Sequence, residues 1–129
     1  MQTKNITLNV LGLSLNDDSE FYTTLHNEFN NYSKKENLNI ELNLITLANS
    51  NSTAATSPIA YVTMLDDLYQ RKDIKYDIVF YFNYYLDDFD KYFINLYDYF
   101  NEDHINLYDP LVLSLSCIKN NKLIGFVRS

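Results

Sequence analysis

The chain has 129 residues and carries a net charge of −7 from 17 acidic and 10 basic side chains. That length fits one domain able to bury about two-thirds of the surface its unfolded chain exposes, and the acidity excludes a phosphate-backbone binder, which needs clustered Lys and Arg. Two Gly and two Pro exclude collagen-like and linker compositions, and no apolar run approaches the roughly 20 residues of a membrane span.

Ile6–Leu15 (ITLNVLGLSL) is apolar and β-branched at its start and predicts a strand. The preceding residues run straight into it, so the sequence as it stands predicts no leader. Asp17, three residues before Glu20, forms a helix-capping pattern. Phe21, Leu25, Phe29 and Tyr32 then recur at helical spacing, predicting an amphipathic helix to about Asn37 that buries those four rings and chains. Leu38–Leu47 alternates apolar and polar residues, as a strand near a sheet edge does.

Ala48–Ser57 reads as a loop ending in Ser57-Pro58, a helix start in which Ser caps and Pro fits the first turn. Tyr61, Val62, Leu65, Leu68 and Tyr69 mark the buried face of that helix. Tyr76–Phe82 (YDIVFYF) is nearly continuous in apolar residues, as in a strand covered on both faces, with Ile78, Val79 and Phe80 in the core. The only basic pairs, Lys34–Lys35 and Arg71–Lys72, fall where the two helices should end and suit their macrodipoles.

The order β-α-β-α-β predicts an α/β fold, a three-layer lobe with a parallel sheet of strand order 2-1-3. Beyond it the chain predicts turns to Asp90, a short helix near Phe93–Phe100, and a helix from about Asp103 to Ser116 interrupted at Pro110. Cys117–Val127 predicts a hairpin around Asn120-Asn121 that extends or caps the sheet. Cys117, the one cysteine, reads as an inert core thiol. The abundant Asn, dense between Asn27 and Asn51, reads as drift in a solvated surface, and sequons at Asn5, Asn31 and Asn51 occur at close to chance frequency.

Ligands of open parallel sheets sit beyond the carboxyl ends of the strands. Gly12–Asp17, Leu47–Asn51 and Phe82–Asp88 should line that crevice. The stretch Lys75–Phe93 (KYDIVFYFNYYLDDFDKYF) has nine Tyr or Phe residues. Of these, Tyr84 and Tyr85 fall just past a strand, where a ring either packs under a loop or stacks on a ligand; tyrosine suits sugars through its face and its hydroxyl. Asp17–Asp18 and Asp87–Asp88 could hold a divalent cation. That opens a receiver-like alternative, against which Tyr81 and Phe82 occupy the place of the phospho-acceptor. His26 on a solvated helix face and His104 near a helix start form no nucleophile–base or metal arrangement, and no Gly-rich phosphate loop is present. The sequence predicts no enzyme, no cofactor and no bound metal.

In their order and spacing, ITLNVLGL, LHNEFNNYSKKENLNIEL, KYDIVFYFNYYLDDF, FINLYDYFNEDHI and SCIKNNKLIGFV resemble the first lobe of extracellular solute-binding proteins, a class II periplasmic-binding-protein-like fold. The similarity spans nearly the whole chain and is nearest to a eukaryotic branch of secreted or receptor-ectodomain members. It implies one lobe over residues 1–129, with the second lobe absent and FVRS standing where the family usually crosses over. It implies non-enzymatic binding of a small polar solute, such as an oligosaccharide, in transport or at a receptor. By position, the ligand contacts would be Ser14, Leu15, Asn16, Asn49, Asn83, Tyr84 and Tyr85. A second lobe or a membrane receptor or transporter would be the partner, with an extracellular or cell-surface address. Two alternatives stay open: a flavodoxin-like or receiver-like regulatory domain acting through protein contacts, and a truncated lobe without a ligand.

Overall fold

The computed structural model describes residues 4–14, 19–48, 58–73, 75–81, 87 and 90–127. They fall into two compact units, residues 1–80 and 81–129. The first holds strand β1 (Ile6–Ser14), helix α1 (Ser19–Lys35), strand β2 (Ile40–Ala48), helix α2 (Pro58–Gln70) and strand β3 (Ile78–Val79). The sheet has the expected order β2-β1-β3, and both pairings are parallel. Ile6 to Ser14 pair in register with Ile40 to Ala48.

Val10, Leu11, Gly12 and Leu13 are all buried. Successive strand residues point to opposite faces, so both faces of β1 are covered at this end. The right-handed rule for parallel crossovers, with β2 and β3 on opposite sides of β1, sets α1 and α2 on opposite faces. Tyr61, Val62 and Leu65 form the buried face of α2 as its spacing predicts. The amino-terminal half of one sheet face is polar and open. There Thr7 and Glu41 are exposed, and the Asn43 amide donates to Asn9 Oδ1 at 3.0 Å.

The face that α1 buries is only partly the expected one, since Phe21 and Phe29 are no more than half-buried. Leu25 and Tyr32 are 38% and 55% exposed, whereas Tyr22 and Ser33 are 5% and 3% exposed. The helix is turned by about one residue, and hydrogen bonding is the reason. Ile6 N–H donates to Asn39 O, so the backbone groups of Ile40 and Leu42 point outward from the sheet edge. Asn30 Oδ1 accepts the Leu42 N–H at 2.8 Å, and Asn30 Nδ2 donates to Leu42 O at 3.2 Å. The Ser33 hydroxyl accepts the Ile40 N–H at 3.2 Å and donates to Ile40 O. Two side chains of α1 therefore stand in for a neighbouring strand, at an edge that would otherwise be open to pairing with another chain.

A second correction concerns β3. Ile78 is 44% exposed, and Val79 and Phe80 are half-buried, so this segment is not a strand enclosed on both faces. It is a two-residue edge strand, lengthened by hydrogen bonds from Asp77 N–H to Asn9 O and from Phe80 N–H to Leu11 O. The Asp77 carboxylate accepts the Asn9 N–H at 2.8 Å, where a longer strand would offer a carbonyl.

Both helices end as their basic pairs suggest. In α1, Leu38 N–H reaches Ser33 O and Asn37 N–H reaches Lys34 O, with Asn37 at φ 55°. In α2, Asp73 N–H reaches Leu68 O and Lys72 N–H reaches Tyr69 O, with Lys72 at φ 57°. Both are Schellman terminations built without glycine. The capping positions expected at Asp17 and Ser57 lie outside the described residues.

In the second unit, a single 3₁₀ turn, Leu96–Asp98, stands where the sequence predicts a helix near Phe93–Phe100, with another at Asp90–Tyr92 ahead of it. The segment to Ser116 divides, as Pro110 predicts, into α3 (Glu102–Ile105) and α4 (Pro110–Ser116). Asp109 caps α4 by accepting the Leu111 and Val112 N–H groups, and Pro110 fills its first turn. Strands β4 (Ile118–Lys119) and β5 (Lys122–Leu123) pair antiparallel as a sheet of their own, so the hairpin does not extend the parallel one. Its turn residues Asn120 and Asn121 have φ of 53° and 63°, as a two-residue I′ turn demands. Leu113, Cys117 and Leu123 form the buried core, surrounded by residues including Ile105, Tyr108 and Phe126.

Candidate functional site

Both helices of the parallel unit follow the carboxyl ends of strands, so α1 and α2 start from the end where β1 and β2 stop. The connections that leave β1 and β2 run to α1 and α2 on opposite faces, so they diverge between these two neighbouring strands. Aromatic side chains make the floor at this end. The Tyr22 ring lies on Gly12, where an added Cβ would stand 2.6 Å from Cε1. Its hydroxyl donates to Leu13 O at 3.1 Å. Phe80 meets the Tyr22 ring edge-to-face at 5.0 Å and Phe21 at 6.1 Å.

From α2, the fully buried Tyr61 donates its hydroxyl to Phe80 O at 2.6 Å. Burial, then the neighbouring Tyr22, Tyr69 and Tyr76, push its phenol far above the ordinary range. Tyr61 is therefore a neutral donor that ties α2 to the end of β3. No buried side-chain nitrogen or oxygen among the described residues lacks a partner. Among the described residues, this end of the sheet is covered by aromatic side chains whose buried polar atoms are all partnered.

Ser14 closes β1, in register with Ala48 of β2. Leu15, Asn16, Asn49, Asn83, Tyr84 and Tyr85 lie outside the described residues, as do Asp17, Asp18 and Asp88. Asp87 pairs with Lys119 at 2.7 Å in an exposed ion pair. That hydrogen bond, reinforced by the carboxylate's charge, raises the Lys119 ammonium above its usual value. Among the described residues no three His, Cys, Asp or Glu side chains gather to hold a metal ion.

His26 is half-buried rather than on a solvated face, because it continues the edge network. Its Nε2 lies 3.1 Å from Asn30 Nδ2 and its Nδ1 3.1 Å from Asn27 Oδ1. His104 joins an aromatic cluster, stacked on Phe100 at 4.7 Å with Phe126 edge-on at 5.4 Å. Cys117 is 1% exposed, as a core thiol should be. Burial pushes its pKa up, partly opposed by the hydrogen bond with the Tyr81 hydroxyl. Tyr81 itself donates to Ser116 O at 2.8 Å, and its phenol is held far above the ordinary range by burial and then by Cys117.

Sequence periodicity missed Tyr22, Asn30 and Ser33, which share a face at spacings of eight and three. Two of the three are polar, so a search for apolar repeats passes over them. It also missed a polar cleft of about 450 Å³ at the opposite end of the strands, lined by residues including Asn5, Lys34, Asn37, Asn39 and Glu41. Comparison with family models, with curated proteins and with solved structures finds no match to this chain.

Proposed function

We propose that the chain binds a small polar solute, carbohydrates included, without converting it, beyond the carboxyl ends of β1, β2 and β3. The observation that supports this reading is the all-parallel order β2-β1-β3 with its saturated aromatic floor. Open sheets of that order take ligands at this end. Ser14 ends β1; Leu15, Asn16 and Asn49 follow the first two strands in sequence, and Asn83, Tyr84 and Tyr85 follow the third. Hydroxyls and amides donate and accept without net charge, and tyrosine faces pack on sugar C–H bonds.

In this reading the chain is one wall of a site whose other wall is a second lobe or a receptor outside the cell. Typical small-molecule sites enclose roughly 70–90% of the ligand. A single wall leaves one face wet, so affinity near 1 mM, about −4 kcal/mol, is expected. The test is an NMR titration with oligosaccharides and amino acids. Shifts should centre on Ser14–Asn16 and Asn83–Tyr85 and fade in Tyr84→Ala or Tyr85→Ala while the fold persists. Shifts centred elsewhere, or no response to any solute, reject the proposal. A second reading, work through protein contacts, is favoured by one observation: Leu107, Leu111 and Leu115 are 66–78% exposed.

A further inference from the structure

Helix α4 is apolar on two sides. Leu113 faces the core at 4% exposure, and Cys117, one turn on, is at 1%. Leu111 and Leu115, one turn apart on another side, are 66% and 70% exposed, with Val112 beside them at 39%. Leu107, just before the helix, is 78% exposed. A surface helix needs one apolar stripe, and a second one implies something to cover it.

The charges around this stripe say what. From Ile94 to Ser116 the chain has four carboxylates, Asp98, Glu102, Asp103 and Asp109, and no Lys or Arg. All four residues are exposed, and none forms an ion pair among the described residues. The lysines of this unit are engaged elsewhere. Lys119 is on Asp87, Lys122 Nζ donates to Asp90 O, and Lys91 lies over the Tyr92 ring. An exposed apolar stripe thus lies in a stretch of sequence with four carboxylates and no Lys or Arg.

We propose that this face docks a cationic amphipathic segment of another protein, its apolar side on Leu107, Leu111 and Leu115 and its Lys or Arg residues toward the carboxylates. A second copy of this chain fits less well. Each copy would bring the same carboxylates to the contact. Three leucine side chains of about 60–120 Å² each supply only about 180–360 Å², well short of the roughly 800 Å² that each partner of a stable complex contributes. Opposite charge supplies what area does not, by steering the encounter and fixing register. An anionic lipid surface would be repelled.

The probe is a labelled synthetic peptide of about 18 residues, five helical turns of Leu on one face and Lys on the other. Fluorescence anisotropy should show saturable binding that weakens at least tenfold in L111Q/L115Q, whose far-UV circular dichroism should match the parent. It should weaken severalfold in E102Q/D103N, which leaves the apolar stripe intact, and at least tenfold when salt shortens the Debye length from ~10 Å to ~3 Å. A peptide of the same composition with its leucines dispersed should bind at least tenfold more weakly. Equal binding by the dispersed peptide, unchanged affinity in E102Q/D103N or in a folded L111Q/L115Q, or no binding at all would overturn the proposal. So would a parent dimer in sedimentation that L111Q/L115Q dissolves, which assigns the face to a second copy, or co-sedimentation with anionic vesicles, which assigns it to lipid.

Discussion

Replacing Asn30 asks whether a side chain on α1 acts as the missing neighbour of β2. Its amide makes two hydrogen bonds with one residue, from Leu42 N–H at 2.8 Å and to Leu42 O at 3.2 Å. Each such bond contributes about 0.5–1.5 kcal/mol net, so losing both costs about 1–3 kcal/mol. Asparagine is a poorer helix former than alanine by up to about 0.7 kcal/mol, which offsets part of the loss. Asn30→Ala should therefore destabilise by about 0.5–2 kcal/mol in urea unfolding followed by far-UV circular dichroism.

Asn30→Asp separates geometry from mere polarity. An ionised carboxylate still accepts the Leu42 N–H but presents a second acceptor to Leu42 O, so at neutral pH it should cost at least as much as alanine. A proton restores the donor. The folded variant then binds that proton more tightly than the unfolded chain, whose carboxyl sits near its ordinary value of about 3.9. Extra stability is present below that unfolded value and is lost as pH rises through the raised folded one. The deficit of N30D relative to the parent should thus shrink as pH falls from about 7 to about 4. An alanine variant as stable as the parent, or an N30D deficit indifferent to pH, would refute the idea that Asn30 closes the sheet edge.

Two further outcomes are expected. Gly12→Ala and Gly125→Ala should each destabilise by about 1–3 kcal/mol through overpacking, because the new Cβ would meet Tyr22 at 2.6 Å and Tyr81 at 2.7 Å; neither glycine has a positive φ, so an alanine variant as stable as the parent in urea unfolding would mean the rings move aside at no cost. Tyr61 and Tyr81 should stay protonated in a spectrophotometric titration until the fold is lost, since burial raises both phenols. Their contribution to stability is fully present below the ordinary phenolic value near 10 and lost as pH rises from there towards the raised folded values, and ionisation of all 12 tyrosines before any loss of circular dichroism would contradict it.

The architecture was legible because its determinants are local. The β-α-β-α-β order follows from two apolar periods and from basic residues at helix ends, and the strand order then follows from right-handed connection. The hairpin was legible from Asn120-Asn121 alone, since few residue pairs accept two consecutive positive φ values. What stayed hidden depends on tertiary partners. Phe21, Leu25, Phe29 and Tyr32 satisfy helical spacing as well as the observed face does. The choice is made by the outward backbone groups of Ile40 and Leu42, which Ser33 and Asn30 satisfy. Ile78 carries the residue type of a core strand, yet its position at a sheet edge decides its exposure. The predicted ligand contacts were nominated by position alone, and all but Ser14 lie outside the described residues.

The asparagines carry a different lesson. Of the five described non-glycine residues with positive φ, four are Asn: Asn37, Asn39, Asn120 and Asn121. Asn95 and Asn101 cap short helical turns through their side-chain oxygens, and Asn30 replaces a strand. This corrects the view of these residues as surface drift. With two glycines in the chain, both beneath tyrosine rings where a Cβ would collide, left-handed positions fall to the L-residue that tolerates them best. Large rings packed on the sheet and hairpin reserve the glycines for space, and asparagine supplies the turns, caps and edge contacts that glycine or backbone supplies in other α/β proteins. Lys72, at φ 57°, is the exception among the described residues. It closes α2 in the same Schellman geometry as Asn37 without an amide to ease the conformation. The need to end the helix there therefore outweighs the local backbone preference.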